Sequence, residues 1–285
     1  MLRTLLIALC IGAGAAQAHA DEIVLRADAP IVDVMVNGKP ARMLVDPMLP
    51  EMMVFNPDTQ ARLAVRPVPM VNARAVFDDA SVRARIARPR LVFANGKSSR
   101  AFTGLFGERW SERADVDGAM GPGVLPYDRV RIVLRDGAGG NVQTWRLPQR
   151  EFWAVTQTIA GEEARVGFSL NHNETMVNRP LARAMDEARL LTLTGDVQRR
   201  RFFLGLTTTV QTARTEERAA GRPMGAVLAR TDAPLAGNAD VDIVTVTASA
   251  ETPQRRTVTL GLNALEGCYE FVWERAAGTL SLRCD

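Results

Sequence analysis

Short apolar stretches rich in Val, Ile, Leu, Phe and Thr alternate with turn sequences along most of the 285-residue chain. The turn sequences include "NGK", "DGAGG" and "TGD". Short apolar runs bounded by Gly and Asn are typical of strands, so the pattern predicts a mostly β fold. Two segments follow a helical pattern instead, "PDTQARL" and the longer "RPLARAMDEARLL". In the longer one Pro180 suits a first turn, and Leu181, Met185 and Leu190 fall near one face.

An internal repeat is visible in the order of these elements. The stretches are "IVDVMVNGKPARMLVDPMLPEMMVFNPDTQARL" and "EFWAVTQTIAGEEARVGFSLNHNETMVNRPLARAM". Each reads as a strand, a Gly-containing turn, a returning strand, a polar turn, a short apolar run and a proline that opens a helix. Superposed in this way, Asp46 falls opposite Asn171. A repeat of this kind predicts a duplicated architecture.

The ends of the two repeats also correspond. The first end contains the apolar-apolar-Gly element Ala119, Met120, Gly121, and the second contains Leu260 followed by Gly261. A Leu lies four residues after each glycine, and a two-stranded ribbon is predicted after it. We therefore expect a first lobe at residues 21–148 and a second lobe at residues 149–285, with the boundary near "LPQRE".

The first twenty residues, "MLRTLLIALCIGAGAAQAHA", have the pattern of a secretory signal peptide cleaved after Ala20. They predict an exported protein, with the periplasm as the expected compartment. No later segment has the roughly 20 uninterrupted apolar residues of a membrane-spanning helix, so none is expected in the mature chain. Cleavage would leave Cys268 and Cys284, which face each other if the intervening hairpin turns near Ala276. In an oxidising compartment they are expected to form a disulfide; the alternative is two buried thiols.

The charge balance argues against several function classes. Basic residues exceed acidic ones by only three, whereas a nucleic-acid-binding protein usually concentrates basic charge on one face. The clusters at residues 199–201 and 255–256 are interpreted as solvated hairpin turns. One histidine after the leader and no free thiols give no metal-ligand spacing, so no metal is expected. No cofactor is expected either, because no phosphate-binding loop occurs. No Gly-x-Ser-x-Gly stretch occurs, so nucleophilic catalysis by a Ser, His and Asp set is not expected.

The segments "VNGKPARMLVD" and "DGAMGPGVLPYDRVRIVL" resemble the retropepsin-like and pepsin-like aspartic peptidases, in their two-lobed bacterial exported form. The resemblance covers nearly the whole mature chain. It implies a mostly β fold of two duplicated, closed β-barrel lobes with one or two short helices. In this family each lobe supplies one Asp from an Asp-Thr-Gly or Asp-Ser-Gly tripeptide. The two carboxylates share a proton, so that one activates a water and the other protonates the substrate.

Both tripeptides are altered in this chain. The first lobe has Asp46-Pro47-Met48, in which Pro47 lacks a hydroxyl and an N–H, and Met48 replaces the glycine. The second has Asn171-His172-Asn173, and an amide cannot act as a general base. We therefore expect a degenerate dyad, with Asp46 as the retained acid and Asn171 at the position of its partner. The resemblance then implies an inactive protease whose interlobe cleft, lined by residues 47–48 and 171–173, could hold an extended peptide or an envelope protein.

Other readings of the sequence stay open. The chain could be an active aspartic endopeptidase that pairs Asp46 with an unaligned acid, such as Glu174 or Asp196. It could instead be a structural envelope component with a filled cleft, and packing of Met48 and His172 into the interlobe seam would favour this. His172 could also hydrogen-bond to Asp46. The methionines of "MLVDPMLPEMM", with Met70, are interpreted as core residues, the alternative being the floor of a groove.

Overall fold

The computed structural model describes residues 21–49, 51–77, 80–147, 153–230 and 255–285. The expected signal peptide and the expected boundary near "LPQRE" lie wholly or mostly outside these ranges. We call residues 21–147 the first half and residues 153–285 the second half. The structure confirms the prediction of a mostly β fold.

The first half contains the strands β1 (Glu22–Arg26), β2 (Ile31–Val36), β3 (Lys39–Val45), β4 (Met52–Phe55), β5 (Asn72–Phe77), β6 (Ala80–Ala87), β7 (Arg90–Phe93), β8 (Ser98–Arg100), β9 (Phe102–Leu105), β10 (Gly118–Met120), β11 (Arg129–Val133) and β12 (Asn141–Arg146), with helix α1 (Pro57–Gln60). The second half contains β13 (Ala154–Ile159), β14 (Glu162–Phe168), β15 (Thr175–Val177), β16 (Thr192–Arg201), β17 (Thr207–Ala219), β18 (Arg222–Arg230), β19 (Thr257–Leu260), β20 (Cys268–Glu274) and β21 (Thr279–Cys284), with helix α2 (Arg179–Glu187).

Within the described residues these strands form three sheets. A nine-stranded sheet has the order β5-β6-β9-β4-β10-β3-β2-β7-β8, and a seven-stranded sheet has the order β13-β14-β19-β15-β18-β17-β16. A five-stranded sheet, β1-β11-β20-β21-β12, takes strands from both halves. Each sheet has two edge strands that do not pair with each other, so the described strands form open sheets. The expectation of closed barrels is therefore not met.

Seven strands of the nine-stranded sheet recur in the seven-stranded sheet. In chain order, β2, β3, β4, β5, β6, β9 and β10 take the same places as β13 to β19. All six neighbouring pairs also keep their sense. For example, β3 runs parallel to β10 as β14 does to β19, and β4 runs parallel to β9 as β15 does to β18. The inserted strands β7 and β8 extend the first sheet beyond this common order.

The first hairpin of each sheet turns on the same backbone geometry. Asn37 and Gly38 have φ values of 49° and 81°, and Ala160 and Gly161 have φ values of 53° and 75°. Two successive left-handed residues make the turn that matches the twist of two antiparallel strands. Glycine adopts this conformation without steric cost, which explains its place in both turns.

The five-stranded sheet joins the ends of the two halves, because β11 pairs antiparallel with β20 and β12 pairs antiparallel with β21. The β20–β21 hairpin aligns Cys268 with Cys284, and the two form a disulfide. The predicted pairing is thus confirmed, with the turn between Glu274 and Thr279. Phe271 and Trp273 point into the core at 0% and 2% exposure, as their alternation predicts.

Both predicted helices are present, but the later part of the second half differs from expectation. Helix α2 is capped by Asn178, whose side chain accepts a hydrogen bond from the Leu181 N–H over 3.3 Å. The "TGD" stretch forms an irregularity of β16 between Leu193 and Val197 and does not form a turn. The arginines at 199–201 lie in the same strand, so the hairpin turn predicted there is wrong. Cross-strand pairing with β17 overrides the local turn preference of Gly and Asp.

One large hydrophobic cluster spans all three sheets and includes Met43 of β3, Val166 of β14 and Phe271 of β20. A smaller cluster lies where the two halves meet and includes Leu44 and Trp110 from the first half with Phe203 and Leu204 from the second. We call this meeting place the interlobe seam. None of the helices in the described ranges is long and apolar enough to cross a membrane.

Candidate functional site

Asp46 is the first residue after β3 and is fully buried, with 0% exposure. Its N–H donates to the carbonyl of Met120 in β10 over 3.0 Å, and this bond continues the parallel ladder by one residue. Its own carbonyl accepts from the Leu49 N–H over 3.0 Å, which closes a turn. The backbone is therefore held on both sides, and the carboxylate is fixed at the seam.

The carboxylate of Asp46 is surrounded by N–H donors. Oδ1 accepts from the Met48 N–H over 3.0 Å, and Oδ2 accepts from Nε1 of Trp110 over 3.1 Å. The backbone N–H of Leu170, from the second half, also faces the carboxylate and favours its charged form. Hydrogen bonds from several N–H groups to a charged carboxylate offset part of the free-energy cost of removing it from water.

Burial nevertheless dominates the titration of this group. Loss of hydration raises the pKa of Asp46 from 3.8 to about 6, against the lowering effect of the Met48, Trp110 and Leu170 donors. No second carboxylate contributes to this shift among the described residues. The raised pKa therefore reflects a single desolvated acid, in contrast to a pair of acids that share one proton.

Ser169 occupies the place in the second half that Asp46 occupies in the first. It directly follows β14, and its N–H donates to the carbonyl of Leu260 over 2.9 Å, matching the bond from Asp46 to Met120. Its Oγ accepts from the Asn171 N–H over 3.1 Å, matching the bond from Met48 to Asp46. By these bonds the counterpart of Asp46 is Ser169, which lies two residues before the expected Asn171.

Trp110 and Phe203 close the seam over Asp46. Their rings stack with centroids 4.4 Å apart and planes at 25°, and the side chains are 5% and 9% exposed. Phe203 lies at the tip between β16 and β17, where the Leu204 N–H donates to the carbonyl of Arg109 over 2.8 Å. Thus a hairpin tip of the second half packs against the loop that carries the tryptophan.

Asn171 takes part in the seam as a linker between the halves. Its side-chain oxygen accepts a hydrogen bond from Oγ of Ser111 over 3.0 Å. Because Ser111 directly follows Trp110, this bond and the Trp110–Asp46 bond fix the same loop at two points. The arrangement positions the halves relative to each other, and it supplies no group that could take up a proton.

His172 does not hydrogen-bond to Asp46, so the structure does not support the alternative of an Asp46–His172 pair. Its ring lies 5.9 Å from that of Phe202 and 6.1 Å from that of Phe203, and its buried Nε2 has no partner among the described residues. Burial lowers the pKa of His172, with a smaller opposing effect from Glu174. The neutral ring is therefore an aromatic neighbour of the hairpin tip. Asn173 is exposed, and its carbonyl accepts from the Asn263 N–H over 2.9 Å.

The two acids considered as partners of Asp46 have other environments. Glu174 forms an ion pair of 2.8 Å with Arg200, and both side chains are 42% exposed. Asp196 is exposed on β16. Neither contributes to the pKa shift of Asp46. Across the described ranges, no three His, Cys, Asp or Glu side chains are grouped so that they could hold a metal ion.

The residues after Asp46 complete the seam. Pro47 is buried, and Met48 is partly buried against the apolar clusters of both halves. Met43 and Met53 are fully buried, in agreement with the core interpretation of the methionine-rich run. Met70 departs from it, because 98% of its surface is exposed.

Trp110, Ser111, Ser169 and Phe203 are site residues that the sequence analysis missed. A signal for Ser169 was present, because Asp46 lies eight residues after Gly38 and Ser169 lies eight residues after Gly161. Counting from the turn glycine gives the correct equivalence, since both hairpins have the same turn geometry. No comparable signal exists for Trp110 or Phe203, because they meet only through contacts between distant loops.

Comparison of the sequence with protein-family models gave no match, and comparison with curated proteins gave none either.

Proposed function

We propose that the chain is an exported protein with an aspartic-peptidase-like architecture of two duplicated lobes. The protein no longer cleaves peptides and serves as a binding or structural component of the cell envelope. The recurrence of seven strands in the same order and sense supports the duplication. The pattern of residues 1–20 supports export.

The observation that carries the proposal is the environment of Asp46. Cleavage by this architecture needs two acids that hold a water and share a proton. Asp46 is instead enclosed by N–H donors and by the Trp110–Phe203 stack, and the equivalent position holds the hydroxyl of Ser169. A hydroxyl cannot replace a carboxylate as the general base at neutral or acidic pH.

Packing of Met48 and the ring of His172 at the seam favours the filled-cleft alternative over an open interlobe cleft. The partner would then bind elsewhere. The edge strand β16 is a candidate, because it has a ladder partner on one side only among the described strands and exposes Leu193 and Val197 at 44% and 47%. An extended peptide can add to such an edge through backbone hydrogen bonds.

The absence of catalysis is tested by incubating the purified protein with a mixed peptide library from acidic to neutral pH and detecting new termini by mass spectrometry. Wild type and Asp46→Ala are expected to give the same products, with no effect of pepstatin. Cleavage by the wild type that pepstatin inhibits and Asp46→Ala abolishes would overturn the proposal. Pepsin serves as the positive control for the library.

Recognition at β16 is tested by selecting binding peptides from the same library on the immobilised protein. Leu193→Arg and Val197→Arg are expected to weaken capture of the selected peptides, whereas Val24→Arg, on the edge strand of another sheet, is expected to leave it unchanged. Equal capture by all variants would remove β16 as the binding edge.

A further inference from the structure

The loop at residues 66–71 presents apolar side chains to solvent. Met70 is 98% exposed, and the flanking Val68 and Val71 are 38% and 42% exposed. Met70 also adopts a left-handed backbone with φ of 59°, a conformation that a residue with a long side chain rarely takes. The loop is nevertheless held in place, because the Val68 N–H donates to the Ile86 carbonyl over 2.7 Å and the Ile86 N–H donates to the Val71 carbonyl over 3.2 Å.

Basic side chains lie beside this loop. Arg83 and Arg85 are exposed on β6, alternating with Ala84 and Ile86, which are 4% and 2% exposed. Alternation places the two arginines together on the outer face of the strand. Arg85 is aligned with Asn72, the residue that follows Val71, so the arginines adjoin the apolar loop. Neither arginine has an ion pair within the described residues, and the same holds for Arg66.

Positive charge is concentrated in this part of the chain. Residues 61–90 contain seven arginines, two aspartates and no lysine or glutamate, a formal charge of +5, whereas the whole chain carries +3. The two aspartates, at 78 and 79, lie outside the described residues. The rest of the protein is therefore slightly negative. Four of the seven arginines, Arg66, Arg74, Arg83 and Arg85, lie in the loop at residues 66–71 and in the β5–β6 hairpin that follows it.

We propose that the surface formed by residues 66–71 and the outer face of β6, here called the Met70 surface, docks on membranes that contain anionic phospholipids. Met70, with Val68 and Val71, enters the interfacial region, and the arginines bind the headgroup phosphates. Charge alone would fit any polyanion. The exposed Met70 between two valines favours a lipid surface, because apolar side chains gain free energy when they leave water for the acyl boundary.

This proposal is independent of the question of peptidase activity, since vesicle binding is measured without any substrate. The full-length chain is expressed with its own leader and purified. The N-terminus of the purified protein is then established by mass spectrometry. Binding is then measured by flotation with vesicles of phosphatidylcholine alone and of an equal mixture of phosphatidylcholine and phosphatidylglycerol. We expect binding to the mixed vesicles that weakens as salt is added.

Met70→Asp and the double variant Arg83→Glu with Arg85→Glu are each expected to lower the apparent affinity about tenfold or more. Met70→Gly is expected to weaken binding without lowering the unfolding temperature, because glycine adopts positive φ freely. Val142→Asp on β12, exposed by 59% in the wild type, and Arg199→Glu on β16 are matched controls that should bind as the wild type does. The proposal is overturned if the mixed vesicles are not preferred, or if the surface variants bind as well as the controls.

Discussion

The indole Nε1 of Trp110 donates a hydrogen bond of 3.1 Å to Oδ2 of Asp46, and both side chains are buried at the junction of the two halves. This bond ties a surface loop of the first half to the end of β3, and the Phe203 ring of the second half stacks on the same indole. A buried acid is thereby used to organise packing at the seam.

The first prediction concerns the pH dependence of stability. The folded pKa of Asp46, about 6, lies above its ordinary value of 3.8, so the native state binds more protons than the unfolded state between these pH values. The stabilising contribution of the protonated group is complete below the unfolded pKa and is lost as the pH rises through 6. From these values we expect a loss of about 3 kcal/mol in the free energy of unfolding.

The measurement is denaturant unfolding of the wild type and Asp46→Asn between pH 4 and 7. The difference in stability between the two proteins should change with pH in this window, because the amide does not titrate. Asp46→Asn should also lower the free energy of unfolding by an amount that does not depend on pH. The reason is that the amide NH2 is itself a donor and must face one of the N–H donors that the carboxylate accepts from. Parallel stability curves for the two proteins would contradict the assignment.

The second prediction isolates the Trp110 hydrogen bond. Trp110→Phe keeps an aromatic ring against Phe203 and removes the donor to Asp46, so it should cost about 1.5–3 kcal/mol near neutral pH and less at acidic pH. Trp153→Phe is the matched control, because Trp153 is 1% exposed and its Nε1 has no partner among the described residues. Its cost should not depend on pH. The same pH profile for both variants would argue against the bond.

The third prediction distinguishes Ser169 from Asn171 as the counterpart of Asp46. Ser169 is fully buried beside Leu170, whose N–H faces the Asp46 carboxylate, whereas Asn171 is partly exposed. Ser169→Asp should therefore destabilise the protein strongly near neutral pH and less in acid, because two buried carboxylates repel each other. Asn171→Asp should cost less. The reverse order, measured by thermal unfolding at two pH values, would restore the equivalence drawn from sequence.

The fourth prediction concerns the seam. Phe203→Ala removes a ring that is 9% exposed and stacked on Trp110, and it should destabilise the protein by about 3–5 kcal/mol. Phe202→Ala, at a partly exposed neighbouring position, should cost less. Unfolding by denaturant with tryptophan fluorescence as the signal measures both. Equal costs would mean that the stack contributes little.

The fifth prediction concerns the disulfide between Cys268 and Cys284. The two residues are 16 apart in sequence, and release of a loop of this size should lower the free energy of unfolding by about 3 kcal/mol. Unfolding is compared for the oxidised protein and the Cys268→Ser, Cys284→Ser double variant. A reductant should shift the oxidised protein to the variant's stability and leave the variant itself unchanged. A stability that is insensitive to both changes would indicate that the hairpin is held by its strand pairing alone.

The sequence by itself determined the local features. Alternating apolar residues and turn glycines gave the β class and the hairpins at Asn37-Gly38 and Ala160-Gly161, and the spacing around "ERAAG" gave the disulfide, because these features depend on contacts between residues close in the chain. The sequence also showed that Pro47 and Met48 follow Asp46, where the family that the chain resembles has a hydroxyl residue and a glycine.

Only the tertiary structure decided which residues surround that acid. Trp110 is 64 residues from Asp46, and Phe203 is further still, so no local pattern could bring them together. It also decided that Ser169 corresponds to Asp46, because strand register is fixed by the hydrogen bond that each residue's N–H donates to a parallel neighbour, Met120 or Leu260. A shift of two residues keeps the same side-chain alternation, and for that reason the hydrophobic pattern could not detect it.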